Sequence, residues 1–277
     1  MKFQIRPKCR NKHIESALVG GFGNQLFQFS TAISESIKNE ALLSFNFLDK
    51  NRNYSLDIIH VDLNKIYKPT ISSNNELILQ VVGNKTDCTF VNFEEKKFTY
   101  EKIGELKDHA RLTGYFQSPY YFQDFDQQIK SYLKKTLKLV SRDENFVHIH
   151  ARFGDMAKNP EIRRVHGVIT DDYLERALKH FNLQSNEIKL VVQDIDMLKN
   201  ELPRFCEKTY KVISNDFLSD FQTLAAAKNL IISNSTFSWW AAYLSSAKVV
   251  APAKWFAEDF LINNPIDDLI PESWILE

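Results

Sequence analysis

The sequence predicts an α/β fold built on parallel sheet, and three observations carry the prediction. From Phe146 onward, short apolar runs alternate with helical stretches at short intervals, the pattern of parallel strands covered by helices on both faces. Near the start, an apolar run at 16–19 passes through the glycine-rich turn 20–25 into an amphipathic helix. At 277 residues the chain exceeds one typical domain, and its 44% hydrophobic and 25% charged residues are ordinary for a globular protein.

The elements run in this order. After the glycine turn, Leu26, Phe29, Ile33 and Ile37 fall at spacings of three and four, one apolar stripe of a helix. A second strand is expected at 41–47. The pattern weakens from 48 to about 106, with strands at 77–82 and 89–93 between polar loops. A strand at 111–115 precedes Ser118-Pro119, an N-cap followed by proline at the first helical position, and Phe122, Phe125, Ile129 and Leu133 make the next stripe. The basic segment 130–138 ends that helix and leads to a linker. Beyond it the sequence predicts strands within 145–149 and at 189–192, 209–213, 230–232 and 249–252. Helices are expected at 171–178, 195–202, 217–228 and 239–244, a polar basic loop at 158–167, and a loop and tail over 263–277.

Composition excludes several classes. Lys plus Arg and Asp plus Glu are both 35, so no global charge directs the chain to nucleic acid or an anionic membrane, and any anion site is local. No apolar run approaches about 18 residues, which predicts neither signal peptide nor membrane anchor, at most peripheral membrane contact, and a cytoplasmic location. Cys9, Cys88 and Cys206, odd in number and far apart, fit reduced thiols better than a disulfide framework.

Chemistry concentrates in 145–156, Asn-Phe-Val-His-Ile-His-Ala-Arg-Phe-Gly-Asp-Met. Side chains alternate along a strand, so His148, His150 and Arg152 leave one face at steps of about 6.6 Å. Gly154 permits a close turn, and Asp155 can fold back on the guanidinium or cap the segment after it. Such a site suits a phosphate, because arginine presents a rigid fork of donors. The plain alternative is a strand ending in a salt-bridged turn, with His150 in the core. Segment 233–238, Ser-Asn-Ser-Thr-Phe-Ser, gathers hydroxyls and N–H groups where a strand meets a helix, an anion cradle or simply a well-capped turn over Trp239 and Trp240. Arg163, Arg164 and His166 are either a solvated surface or a loop that closes over a bound diphosphate. Asp194-Ile-Asp196 spells a metal-binding triplet but opens a helix, where aspartate is expected as cap.

His150, Arg152, Gly154 and Asp155 resemble the His-x-Arg-Arg-x-Asp motif of fucosyltransferases that use GDP-fucose. With Gly-Gly-Phe-Gly-Asn-Gln-Leu-Phe-Gln at 20–28 and Ser-Asn-Ser-Thr-Phe-Ser-Trp-Trp at 233–240, the chain resembles the galactoside α-1,2-fucosyltransferase family over most of its length. Segments 112–122 and 166–168, and Tyr173, are similar to it as well. The second arginine of the motif is Phe153 here.

The resemblance implies an α/β fold of GT-B type, two Rossmann-like domains facing across a cleft: 1–138 mainly on the acceptor side and 139–277 binding the nucleotide sugar. It implies inverting transfer of L-fucose from GDP-fucose to the 2-hydroxyl of a galactose-terminated oligosaccharide or lipid-linked glycan. Neither a metal nor a cofactor beyond the donor is implied. The catalytic residues it points to are Arg152, His150 and Asp155; the donor contacts are Gly21, Asn24, Gln25, His150, Arg152, Asp194, Asn234, Ser235 and Thr236. Two other readings remain: a transferase of the same fold with another nucleotide sugar or linkage, and a non-catalytic carbohydrate-binding protein with a decayed site.

Overall fold

The structure, a computed structural model, describes residues 11–85, 88–140, 146–154, 159–166, 168–181, 188–262 and 266–277. It divides into two compact units, Met1–Thr136 and Leu137–Glu277, with the division just ahead of the expected one after Lys138.

Unit 1 holds β1 (His13–Leu18), α1 (Phe22–Lys38), β2 (Leu42–Phe47), β3 (Lys65–Ile71), β4 (Leu77–Asn84), β5 (Val91–Glu94), β6 (His109–Thr113) and α2 (Asp126–Thr136). Its sheet runs β4-β3-β2-β1-β6-β5. Strands β2, β1, β6 and β5 are parallel, while β3 is antiparallel to both β2 and β4. The sequence pattern does not predict β3, because Lys65, Lys68 and Pro69 interrupt its apolar run.

In α1, Leu26, Phe29 and Ile33 are fully buried, as the stripe predicts. The helix also buries Gln25, Gln28, Ser30, Thr31 and Ser34, so it is enclosed on more than one side. Gly20 has φ +78, and a Cβ there would lie 2.4 Å from Asn24 Nδ2, so glycine is required at this turn. Ahead of α2, two 3₁₀ turns, Pro119–Tyr121 and Gln123–Phe125, replace the single helix start expected at Ser118. Ser118 Oγ still caps, accepting from the Tyr120 N–H at 3.3 Å.

Unit 2 holds β7 (Val147–Ala151), α3 (Pro160–His166), α4 (Asp171–Leu178), β8 (Ile188–Val192), α5 (Ile195–Glu201), β9 (Tyr210–Val212), α6 (Phe217–Ala225), β10 (Asn229–Ile231), α7 (Thr236–Leu244), β11 (Lys248–Ala251), α8 (Glu258–Leu261) and β12 (Ile275–Leu276). Its order is β12-β11-β10-β7-β8-β9, and every pair is parallel. Both units are therefore Rossmann-like, as the GT-B expectation requires.

Three expectations need correction. The loop expected at 158–167 contains α3, which Arg163 ties to Glu201 of α5 through a two-pronged ion pair at 2.7 and 2.8 Å. The tail contains β12, paired with β11. Cys88 is disulfide-bonded, whereas Cys206 is free, so the reduced state expected from distance along the chain holds for Cys206 and not for Cys88; Cys9 lies outside the described residues. Among the described residues, no helix is long and apolar enough to cross a membrane.

Candidate functional site

In unit 2 the chain builds outward from β7 to β8 and β9, then returns to the other side of β7 with β10, β11 and β12. The strand order reverses between β7 and β10, and crevices at such switch points, beyond the carboxyl ends of strands, are where doubly wound sheets bind ligands. β7 and β10 pair through Leu230↔His148 and Ile231↔Ile149, so the residues after them emerge side by side. His150 Nδ1 lies 3.0 Å from Ser233 Oγ, and Arg152 Nη1 donates to Ser235 Oγ at 3.3 Å.

Ser235 occupies the N-cap of α7, yet its hydroxyl makes no cap bond to the helix. It faces the guanidinium instead. The first-turn N–H groups of α7 therefore receive no side-chain acceptor from their own cap, and they add the positive end of the helix dipole to the charge of Arg152. Thr236 and Phe237 are half-buried at this end. Trp239 and Trp240 lie in the core, with Trp239 Nε1 donating to the Leu269 carbonyl at 2.9 Å.

His150 is buried against Phe237 and Ser233. Burial, and secondarily the Arg152 charge, lower its pKa from 6.5 to about 3. It is neutral at physiological pH, and such a weak base is a poor acceptor for a hydroxyl proton. In this setting His150 serves as a neutral hydrogen-bonding partner of Ser233.

Three further expected contacts have partners within the chain, Gln25 and Asn234 buried and Asp194 half-buried. Gln25 is fully buried; its Nε2 donates to the carbonyls of Gly20 (2.9 Å) and Asn53 (3.0 Å), and its Oε1 accepts from the Ser55 N–H (3.0 Å). Asn234 Nδ2 donates to the carbonyls of His166 (2.5 Å) and Trp255 (3.1 Å), bracing the end of α3 and the segment after β11 against the end of β10. Asp194 caps α5 by accepting from the Met197 N–H at 3.3 Å. Each of the three thus ties the fold together, and the cap formed by Asp194 is the role its place at a helix start suggested. Among the described residues, no group of three or more potential metal ligands gathers around Asp194 and Asp196 or elsewhere.

Gly21 and Asn24 stand in unit 1, at the end of β1. Gly21 is exposed, and Asn24 Oδ1 accepts from Gln117 Nε2 at 3.1 Å. Asp155 lies outside the described residues. The roles of Ser233 toward His150 and of Gln117 toward Asn24 are not legible in the sequence, since each depends on strands brought together by the fold. Cavities of about 460 Å³ beside Tyr54 and Asp62, and about 400 Å³ beside Glu175 and Lys208, include none of these residues.

Phe153, in place of the motif's second arginine, belongs to the hydrophobic core of unit 2 with Ile149, Tyr173 and Leu190. It is 2% exposed.

The chain has relatives among known proteins. An Escherichia coli alpha-1,2-colitosyltransferase is 26% identical over 95% of this chain and 98% of its own length. The O-antigen biosynthesis glycosyltransferase WbnK of Escherichia coli is 25% identical over 94% of the chain and 99% of its own length. Human galactoside alpha-(1,2)-fucosyltransferase 1 is 24% identical over 92% of the chain and 72% of its own length. Among solved structures, the alpha-1,6-fucosyltransferase NodZ co-crystallised with GDP aligns at TM-score 0.46 and 10% identity, covering 85% of this chain and 93% of that one. The Escherichia coli heptosyltransferase WaaC with ADP aligns at TM-score 0.47 and 8% identity, covering 95% and 92%. The model of glycosyl transferase family 11 matches residues 3–276, nearly the whole sequence, and the chain belongs to that family.

Proposed function

We propose that the protein transfers L-fucose from GDP-fucose to the 2-hydroxyl of a terminal galactoside, with inversion at the anomeric carbon. The observation that carries this reading is the pairing of Arg152 with Ser235 at the first turn of α7. As the bond between sugar and diphosphate breaks, negative charge gathers on the leaving phosphate and positive charge on the sugar. A guanidinium and a row of helix N–H groups, fixed before the reaction, answer the phosphate charge without reorganising. These donors take the part a divalent cation plays in other transferases, so the reaction is proposed to need neither metal nor further cofactor. Neutral His150 adds no charge and keeps its Nδ1 on Ser233. Asp155 is proposed to steady the guanidinium.

The names of the relatives support an α-1,2 linkage, since the colitosyltransferase and the galactoside fucosyltransferases share it. They leave a second donor in view, because one relative is named for colitose.

The decisive experiment is donor turnover by Arg152→Ala across a nucleotide-sugar panel, with galactosides as acceptors and chelator present or absent. Loss of one such donor costs about 2.7 to 4 kcal/mol, a hundred- to a thousandfold in rate, with the fold retained. Near-normal turnover by the variant would remove Arg152 from the reaction. Activity lost to chelator would return the role to a metal.

A further inference from the structure

The chain runs from β1 through β2 and β3 to β4 on one side of the unit 1 sheet, and β6 and β5 occupy the other, so strand order reverses between β1 and β6. This is the position where such sheets take ligands. The loop after β6 is held from three directions. Glu95 Oε2 accepts the backbone N–H groups of Tyr115 and Phe116 at 2.7 and 2.9 Å. Gln28 accepts from the Val19 N–H at 3.0 Å and donates to the Gly114 carbonyl at 2.9 Å, fastening the end of β1 to the end of β6. Gln117 Nε2 reaches Asn24 Oδ1 at 3.1 Å.

The backbone inside this frame is strained. Phe116, a bulky buried residue, has φ +52, and Gly114 has φ +155 with room for no Cβ, which would meet Glu95 Cβ at 2.4 Å. Left-handed backbone at such a residue costs of order 1 to 3 kcal/mol and persists only where its surroundings over-determine it.

The frame presents aromatic rings to solvent. Tyr115 is 36% exposed and stacks on Phe98, with ring centroids 6.1 Å apart and planes 15° from parallel. Tyr120 is 44% exposed and meets Tyr100 edge-on at 6.0 Å. Beside them, Gln117 Oε1 is buried with no hydrogen-bond partner among the described residues. One face of a galactose-type pyranose is a patch of C–H bonds that lies flat on an aromatic ring, while its rim of hydroxyls needs amide and carboxylate partners.

We infer that Tyr115 is the stacking platform for a pyranose ring of the glycan acceptor, flanked by Tyr120, with half-buried Asn24, held in place by Gln117, supplying hydrogen bonds. Glu95 and Gln28 are positioning residues that fix the platform. The inference rests on the reading of the acceptor as a galactoside. It assigns acceptor recognition to the loop after β6, held by Glu95 and Phe98 from the weakly patterned stretch before it.

The test compares wild type, Tyr115→Ala and Tyr115→Phe in transfer from GDP-fucose to lactose, varying each substrate separately, alongside saturation-transfer NMR of lactose on each protein. Tyr115→Ala is expected to raise the acceptor KM about tenfold and leave the donor KM within about twofold, whereas Tyr115→Phe keeps the wild-type acceptor KM. A wild-type acceptor KM in Tyr115→Ala, or an equal rise in both KM values, overturns the platform. If wild type binds lactose without transferring to it, and Tyr115→Ala loses the NMR signal, the platform stands and the transfer reading falls. Absence of the signal in wild type overturns both.

Discussion

Phe153 sits where the family motif carries a second arginine, and its surroundings explain the change: the side chain is enclosed by the core of unit 2. A guanidinium there would bury a charge, with no partner for it in that cluster. Phe153→Arg is therefore expected to destabilise the protein by more than about 3 kcal/mol, and Phe153→Ala to cost about 3 to 5 kcal/mol through the cavity it leaves, both read from urea midpoints. A Phe153→Arg protein as stable as wild type would mean that the pocket opens to solvent. At this scale the sequence is most legible where chemistry is rare. Arg152 and Ser235 stand in the segments that spacing picks out, and the structure brings them to 3.3 Å. It is least legible for amides. Asn24, Gln25 and Asn234 look alike in sequence, but only Asn24 keeps partial exposure, because whether an amide faces a ligand or a backbone carbonyl is decided by residues far along the chain, such as Asn53, Ser55 and Trp255.

Among the elements, those whose stability comes from their own pattern are readable. The stripe of α1 and the alternation from β7 to β11 are examples. Those that depend on a neighbour are not. α3 has seven residues, none of them buried, and is held by the Arg163–Glu201 pair and by the Ala257 N–H on the Val165 carbonyl at 2.8 Å. β12 has two residues and exists because β11 offers an edge. Asp194 gives a direct test of the capping assignment. Asp194→Ala is expected to lower stability by about 1 kcal/mol, within the roughly 0.5 to 2 kcal/mol usual for lost caps, and to leave the dependence of turnover on divalent cations unaltered. A weaker response of turnover to divalent cations in this variant than in wild type would make the residue a ligand after all.

For the whole molecule, acidity is the informative variable, because each unit buries a histidine. Burial lowers His13 to about 4 in unit 1, with Glu15 opposing the shift, and lowers His150 to about 3 in unit 2. Between these values and 6.5 the unfolded chain holds more protons than the folded one, so stability rises with pH across that window and falls as pH drops through it. The loss is at most about 1.4 kcal/mol per pH unit for each histidine. Glu35 and Asp220, whose carboxyls burial pushes upward, act in the opposite sense. Urea midpoints from about pH 7 to about pH 4 should therefore decline less steeply in His150→Gln than in wild type, and parallel curves would show that the ring is protonated in the fold. The hydroxyl of Ser235, turned to Arg152 instead of to its own helix, has a consequence for heat as well as for chemistry. An oxyanion seated at that helix start would complete its first turn, so resistance to melting becomes a function of dissolved polyphosphate: at about a hundred times the dissociation constant the gain is about 2.7 kcal/mol.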